Sequence, residues 1–293
     1  MADGCNLYFT EKDLHDVESS IDKGKVLDES KLAANVLDCL TEKNPDSFIK
    51  VLENKSDPRH DLLSKLTIES FGKGKVGVME EARIPGAVKE ILKFTPNTTG
   101  LFKNPSKERG PGASRVRHPY EVITAAAIVQ QKTICSKSGK ALHIYSDDRI
   151  DFGHKSASKY GMRSKGGTIE SDVLISRGNK SVGPTGIDAK YTSGGVYQLF
   201  SDTERQLIGI RNSINDGQLK DFFFVTNGEF SGKFLNRVSD YNKSLTKDWV
   251  DKNKEYHNFK DTSKEYVEKN YQQLAKDYNI AQINVCEGVS FKT

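Results

Sequence analysis

The chain has 293 residues, with 44 Lys and Arg against 40 Asp and Glu and a formal net charge of +4. Hydrophobic residues make up 35% and charged ones 29%, which is long and apolar enough for a sizeable core and excludes wholesale disorder. No run approaches the roughly 18 apolar residues of a membrane span, and the N-terminal MADGCNLYFTEKDL lacks the apolar core of a secretory signal. A soluble chain with no membrane partner is expected, cytoplasmic, or nuclear if delivered to a eukaryotic host.

Cysteines 5, 39, 135 and 286 are far apart and form no CxxC pair. Reduced, mostly buried thiols are therefore expected, with neither a disulfide framework nor a structural zinc site. Charge is unevenly spread. Residues 1–100 carry 14 basic against 18 acidic side chains, and the remainder carries 30 against 22. The basic part is where an anionic partner would bind.

The first hundred residues read as short amphipathic helices. Leu14, Val17 and Ile21 share a face, as do Leu32, Val36 and Leu40, then Leu62, Leu63 and Leu66, then Ile84, Val88 and Ile91 with Pro85 in an early turn. A small helical domain over 1–100 is expected, and it carries no recognisable chemistry. The run KNPSKERGPGASRVRHP, rich in Pro, Gly, Ser and base, reads as a linker over 101–117.

Residues 118–293 change character. PYEVITAAAIVQQ (119–131) is a helix with Pro119 at its start and an apolar body that needs burial, expected against a sheet. Strand-like runs follow at ALHIYS (141–146), TIESDVLIS (168–176), TGIDAKYT (185–192) and DFFFVT (221–226), with a helix carrying Leu207, Ile208, Ile210 and Ile214 between the last two. A very polar segment (241–265), a helix striped by Val267, Tyr271, Leu274 and Tyr278, and a last strand near AQINVCE complete the chain. The aromatics Trp249, Tyr256, Phe259, Tyr266 and Tyr271 read as core rather than as a stacking surface. Alternating strands and helices indicate an α/β domain, and its sheet is mixed because the loop between the Asp172 and Asp188 runs is too short for a crossover helix.

Chemistry concentrates on those two runs. Strand alternation turns Glu170 and Asp172 one way, with Ile169, Val173 and Ile175 turned to the core; Asp188 and Lys190 likewise share a face, with Ile187 and Ala189 turned inward. Carboxylates brought that close repel unless a cation sits between them. A hard divalent ion, Mg²⁺ or Mn²⁺, suits Asp172 and Asp188, with Glu170 and the Ala189 carbonyl as further oxygen donors. Lys190 would position the attacking water or help deprotonate it, and would stabilise charge on a phosphate. Acid-x-Lys triplets also occur at Glu29 to Lys31 and at Glu53 to Lys55, but only Asp188 to Lys190 lies on a strand preceded by an acidic strand. A solvated hairpin face with ordinary ion pairs is the competing reading. Lys155, Lys159, Arg163 and Lys165, in the loop leading to Asp172, are candidates for phosphate contacts in a nucleic-acid partner.

The order of a helix with Glu121, a strand with Asp172, a strand with Asp188-Ala189-Lys190, a helix, and the strand FFFVTNGEFS resembles the PD-(D/E)XK nuclease superfamily over about residues 115–230. The resemblance implies a restriction-endonuclease-like mixed sheet flanked by helices and metal-dependent hydrolysis of phosphodiesters, with DNA the favoured substrate. It makes Glu121 a candidate metal ligand, although an acid in a first helical turn also suits the helix dipole. It gives Gln206 an active-site place and lets His118 reach the metal. The chain departs from the family pattern with Ser171 in place of Pro and Asp188 in place of Glu. VTNGEFS is similar to a turn of methyl-directed restriction nucleases, and the domain is similar to nuclease toxins of endosymbiont cytoplasmic incompatibility, which implies control by an antidote or inhibitor protein. The alternative is a module of the same fold, without activity, that binds nucleic acid or a protein partner.

Overall fold

A computed structural model describes residues 12, 15, 37–38, 40–41, 44–71, 82–95, 98–102, 119–130, 133–135, 140–152, 171–177, 183–192 and 195–291. In chain order their elements are α1 (Pro45–Glu53), α2 (His60–Ser70), α3 (Ile84–Phe94), β1 (Thr98–Thr99), α4 (Pro119–Gln130), β2 (Thr133–Ile134), β3 (Ala141–Leu142), β4 (Arg149–Phe152) and β5 (Val173–Ser176). Then come β6 (Thr185–Lys190), β7 (Val196–Tyr197), α5 (Ser201–Asn215), β8 (Asp221–Thr226), β9 (Glu229–Phe230), α6 (Gly232–Asn253), α7 (Lys264–Asp277) and β10 (Ile283–Cys286). Among the described residues no helix is long and apolar enough to cross a membrane.

The chain divides into two compact units: residues 1–131, 143–153 and 290–293 form one, and 132–142 and 154–289 the other. In the first, the expected stripes of α2 and α3 are buried, with Leu63, Leu66, Val88 and Ile91 at 0% exposure and Pro85 in the first turn of α3. Phe102 closes this helical core, its ring 6.1 Å from Phe48 and 5.7 Å from Phe71. The helices striped by Leu14, Val17 and Ile21 and by Leu32, Val36 and Leu40 lie outside the described residues, save Leu40, which is buried. Of the linker expected over 101–117, residues 103–117 lie outside them, as does His118, while Leu101 and Phe102 are buried and belong to the helical core instead.

The boundary differs from the one expected at residue 118. An all-round apolar helix packs on whatever apolar face is nearest, and α4 packs on α3, so it belongs to the helical unit rather than to the unit of Asp172 and Asp188. The expected strand over 141–146 is also shorter, because only Ala141 and Leu142 pair, antiparallel with β2, before the chain passes to the first unit. There β4 lies parallel to β1.

The second unit holds a mixed sheet in which β5, β6, β8 and β10 are successive neighbours. β5 and β6 are antiparallel, as the short connection requires, whereas β6, β8 and β10 run parallel. Parallel neighbours need a crossover, and α5 supplies it between β6 and β8. One face of the sheet, carrying Leu174, Phe222, Phe224, Ile283 and Val285, is covered by Leu207 and Ile210 of α5 and by Phe234, Val238 and Leu245 of α6.

α6 corrects the expectation of a merely polar segment from 241. Ser231 caps it, accepting from Phe234 N–H, and Phe234, Val238, Leu245 and Val250 form a helical stripe that the surrounding Lys, Asp and Asn obscure in the sequence. α7 packs on α6 through Val267 and Leu274, with Trp249, Phe259 and Tyr266 against that cluster and Tyr256 81% exposed.

The cysteine expectation is overturned for one pair. Cys135, just after β2, and Cys286, the last residue of β10, form a disulfide across 151 residues. Wide separation in sequence says nothing about separation in space once tertiary structure brings two segments together. Cys5 and Cys39 lie outside the described residues.

Candidate active site

β6, Thr-Gly-Ile-Asp-Ala-Lys, packs on both faces of the sheet. Ile187 is fully buried on one face, and Gly186, Asp188 and Lys190 occupy the other by strand alternation. Gly186 has no freedom to be anything larger: a Cβ there would lie 2.6 Å from the Phe222 ring. The β5–β6 register pairs Val173 with Ile187 and Leu174 with Gly186, so Asp172, the residue just before β5, comes to the Asp188 end of β6. Two carboxylates facing each other across a strand pair are destabilising unless something positive compensates.

Several groups hold the pair. Asp172 N–H donates to the Ile187 carbonyl at 2.9 Å, and Ala189 N–H donates to Asp172 Oδ2 at 2.8 Å. Asp188 is buried, 2% exposed, and its Oδ2 meets Lys190 Nζ at 2.7 Å. Gln206 Nε2, from a buried position on α5, donates to that same oxygen. Ser171, where the resembled family carries Pro, is structural here. Its hydroxyl proton is shared between the Val173 and Ile187 carbonyls at 2.6 and 3.1 Å, and its oxygen accepts Ile187 N–H at 3.2 Å. The side chain thus stitches β5 to β6 one residue before Asp172.

Lys190 is pulled two ways. Burial lowers its proton affinity, but attraction to Asp188, then Asp172 and Tyr197, outweighs it and raises the ammonium above the ordinary lysine range. Without a bound ion, Lys190 is thus a positive charge and hydrogen-bond donor set beside both carboxylates. Tyr197, which sequence patterns did not single out, sets its ring 5.9 Å from Lys190 Nζ and is anchored by its hydroxyl to Thr203 Oγ1 at 2.9 Å. The Asn227 carboxamide clamps Thr192 from both sides, accepting its N–H at 3.0 Å and donating to its carbonyl at 3.2 Å. This fixes the chain two residues beyond Lys190. Asn-Gly at 227–228 is a turn signal in sequence, but nothing in it foretells the clamp.

Asp172, Asp188, Ala189, Lys190 and Gln206 are therefore together. Glu121 lies in the first turn of α4, half-buried, in the other unit. Glu170 and the basic residues Lys155, Lys159, Arg163 and Lys165 lie outside the described residues.

The donor set suits a hard cation. Magnesium takes oxygen ligands, keeps several waters and uses one or two carboxylates, and both hydrogen-bonding partners of Asp188 sit on Oδ2. Among the described residues no group of three or more His, Cys, Asp and Glu side chains is arranged around a metal position; Asp172 and Asp188 are the two described carboxylates that the site brings to Lys190.

No protein-family model matches the chain, and neither does any curated protein or solved structure.

Proposed function

We propose that the chain is a metal-dependent nuclease that hydrolyses phosphodiester bonds, in DNA before RNA, through a restriction-endonuclease-like second unit. The observation that supports this reading is the meeting of Asp172, Asp188 and Lys190 on one sheet face, with Asp188 fixed by Gln206. One ammonium, that of Lys190, faces two carboxylates, which leaves negative charge for a divalent ion to offset.

Asp172 and Asp188 would hold Mg²⁺ or Mn²⁺. The bound ion would supply charge neutralisation on the phosphate and a more acidic water. The chain's own residues do the rest. Gln206 keeps the Asp188 carboxylate in one orientation. Ala189 N–H does the same for Asp172. Lys190 presents a permanent positive charge where negative charge builds on phosphoryl oxygen, an electrostatic role that requires no proton to leave it. In the reaction, water oxygen bonds to phosphorus, the bond to the leaving ribose or deoxyribose oxygen breaks, and that oxygen takes up a proton.

The test incubates the purified protein with linear, circular and single-stranded DNA and with RNA, in Mg²⁺, Mn²⁺ or EDTA. Cleavage is expected with either ion and is abolished by EDTA, by Asp188→Ala and by Lys190→Ala. Cleavage that persists in EDTA or in Asp188→Ala overturns the metal mechanism. No cleavage of any substrate, with tight and salt-sensitive binding, replaces it by a binding module.

A further inference from the structure

A cavity of about 750 Å³ opens in the second unit between α6, α7 and the outer edge of β10, with Lys140 and Ala141 on its remaining side. That volume lies within the roughly 300–1,000 Å³ typical of small-molecule sites. Its chemistry is unlike the rest of this highly charged chain. Six carboxamides line it, from Asn236, Asn242, Gln272, Asn279, Gln282 and Asn284, together with Lys140 and Lys276, and among the described residues no Asp or Glu does.

Lys140 is paired with Asp221 at 2.7 Å, so the positive charge this carboxylate-free wall offers an anion is that of Lys276. Asn236 and Asn279, exposed at the rim, offer donor and acceptor side by side, which matches the edges of a nucleobase, whereas Asn242, Gln282 and Asn284 donate within the protein. Val238, Ile283 and Val285 give the apolar floor on which a flat ring rests. Tyr271 stands at the wall, its hydroxyl held by Ser239 Oγ at 3.0 Å, and supplies an aromatic face. Asn284 is 1% exposed and donates through Nδ2 to the Phe222 and Gln282 carbonyls.

An extended peptide is the other ligand an edge strand invites. The geometry disfavours it. Asn242 already occupies the outward backbone groups of Ile283, donating to its carbonyl and accepting its N–H, both at 2.8 Å. A strand cannot add where that carboxamide sits.

We infer that this cavity binds a mononucleotide, its base against the carboxamide and apolar wall and its phosphate at the exposed Lys276. The inference goes beyond the hydrolytic reading and does not rest on it.

The test titrates the full chain in EDTA with AMP, GMP, CMP, UMP, the matching nucleosides, inorganic phosphate and a short uncharged peptide, read by calorimetry. At least one mononucleotide is expected to saturate. Ala275→Trp, which fills the cavity, abolishes that binding, as does Asn236→Trp at the exposed rim should the first variant fold poorly. Lys276→Ala weakens the mononucleotide by about tenfold, the loss of one charge-assisted contact, and leaves the nucleoside unchanged. Asp188→Ala binds as the wild type does. Absence of saturable mononucleotide binding overturns the inference, as does binding that survives both Trp variants, or a preference for phosphate alone or for the peptide. Loss of binding in Asp188→Ala places the ligand at the acidic site and overturns this inference while leaving the nuclease reading standing.

Discussion

Gln206 donates its carboxamide N–H to the same Oδ2 of Asp188 that receives the Lys190 ammonium. One buried carboxylate oxygen is thereby held from a helix and from its own strand at once. Gln206→Leu removes a hydrogen bond to a charged group, worth about 1.5–3 kcal/mol, without opening a cavity. Denaturant melts are expected to show a loss in that range, and cleavage should fall through kcat more than KM, because the lost contact orients the acid rather than the substrate. Gln206→Glu sets a second negative charge against Asp188 and should be worse on both counts. On the nuclease reading, a Gln206→Leu protein that cleaves with unchanged kcat would remove Gln206 from the site.

Gly186 lies two residues before Asp188 on the same sheet face, and its missing side chain is filled by Phe222. Phe222 is fully buried among β-strand neighbours and cannot swing away. Gly186→Ala should therefore cost about 1–3 kcal/mol, the usual penalty of overpacking. Phe222→Leu should recover part of that loss in the double variant, a coupling that a double-mutant cycle reads directly. Additive losses would mean that the ring does not set the limit.

The strands bearing Asp188 and Phe222 were legible because a period of two is a local property, readable from Ile187, Ala189 and the DFFFVT run alone. Gln206 was expected at the site only through a family resemblance; its contact with Asp188 depends on how α5 crosses the sheet, which no local pattern encodes. α6 was missed over much of its length because Asn242 and Thr246, both buried, interrupt the apolar stripe with residues that read as surface. Asn242 is there to bond Ile283, a tertiary reason. The grouping of α4 with the helical unit was hidden for a related reason: a helix apolar on every side carries no directional signal of what it packs against.

Cys135 and Cys286 make a prediction independent of the acidic site. A cross-link that closes a loop of 151 residues restricts the unfolded chain, and the chain-entropy estimate gives about 5 kcal/mol as its ceiling. Reduction with dithiothreitol, or Cys135→Ser with Cys286→Ser, should lower the denaturation midpoint clearly. A thiol assay on the denatured, unreduced protein should find Cys135 and Cys286 unreactive. Free thiols at both positions would overturn the pairing.

Asp57 supplies a pH dependence in the helical unit. Hydrogen bonds from the Arg59 side chain, then from its backbone N–H, hold the carboxyl well below the usual range, at about 2. A carboxyl with a folded value below its unfolded one stabilises the fold above the unfolded value, and the contribution disappears as pH falls toward the folded value. The window here runs from about 4 down to about 2. Urea melts of Asp57→Asn should show a shallower loss of stability than the wild type across that window and the same pH slope above pH 5. Parallel curves would show that the turn contributes no acid sensitivity.

Lys190→Ala distinguishes a metal site from a mere ion pair. Without the ammonium, Asp188, whose side chain is 3% exposed, keeps among the described residues the Gln206 hydrogen bond, and a buried charge that loses its counter-charge is costly. Because Lys190 itself is partly exposed, the loss in EDTA should be about 1–3 kcal/mol, and not the larger figure of a fully buried pair. If Asp172 and Asp188 hold a divalent ion, Mn²⁺ replaces the missing positive charge, and stability should rise with its concentration as RT ln(1 + [Mn²⁺]/Kd). The variant should therefore gain more from Mn²⁺ than the wild type, whose Lys190 already neutralises the pair, while cleavage stays absent because no fixed charge remains to meet the phosphoryl oxygens. The double variant Lys190→Ala with Asp188→Asn should lose the response to Mn²⁺ altogether. A Lys190→Ala protein indifferent to Mn²⁺ in melting experiments would leave the two carboxylates as a structural pair and remove the metal from the site.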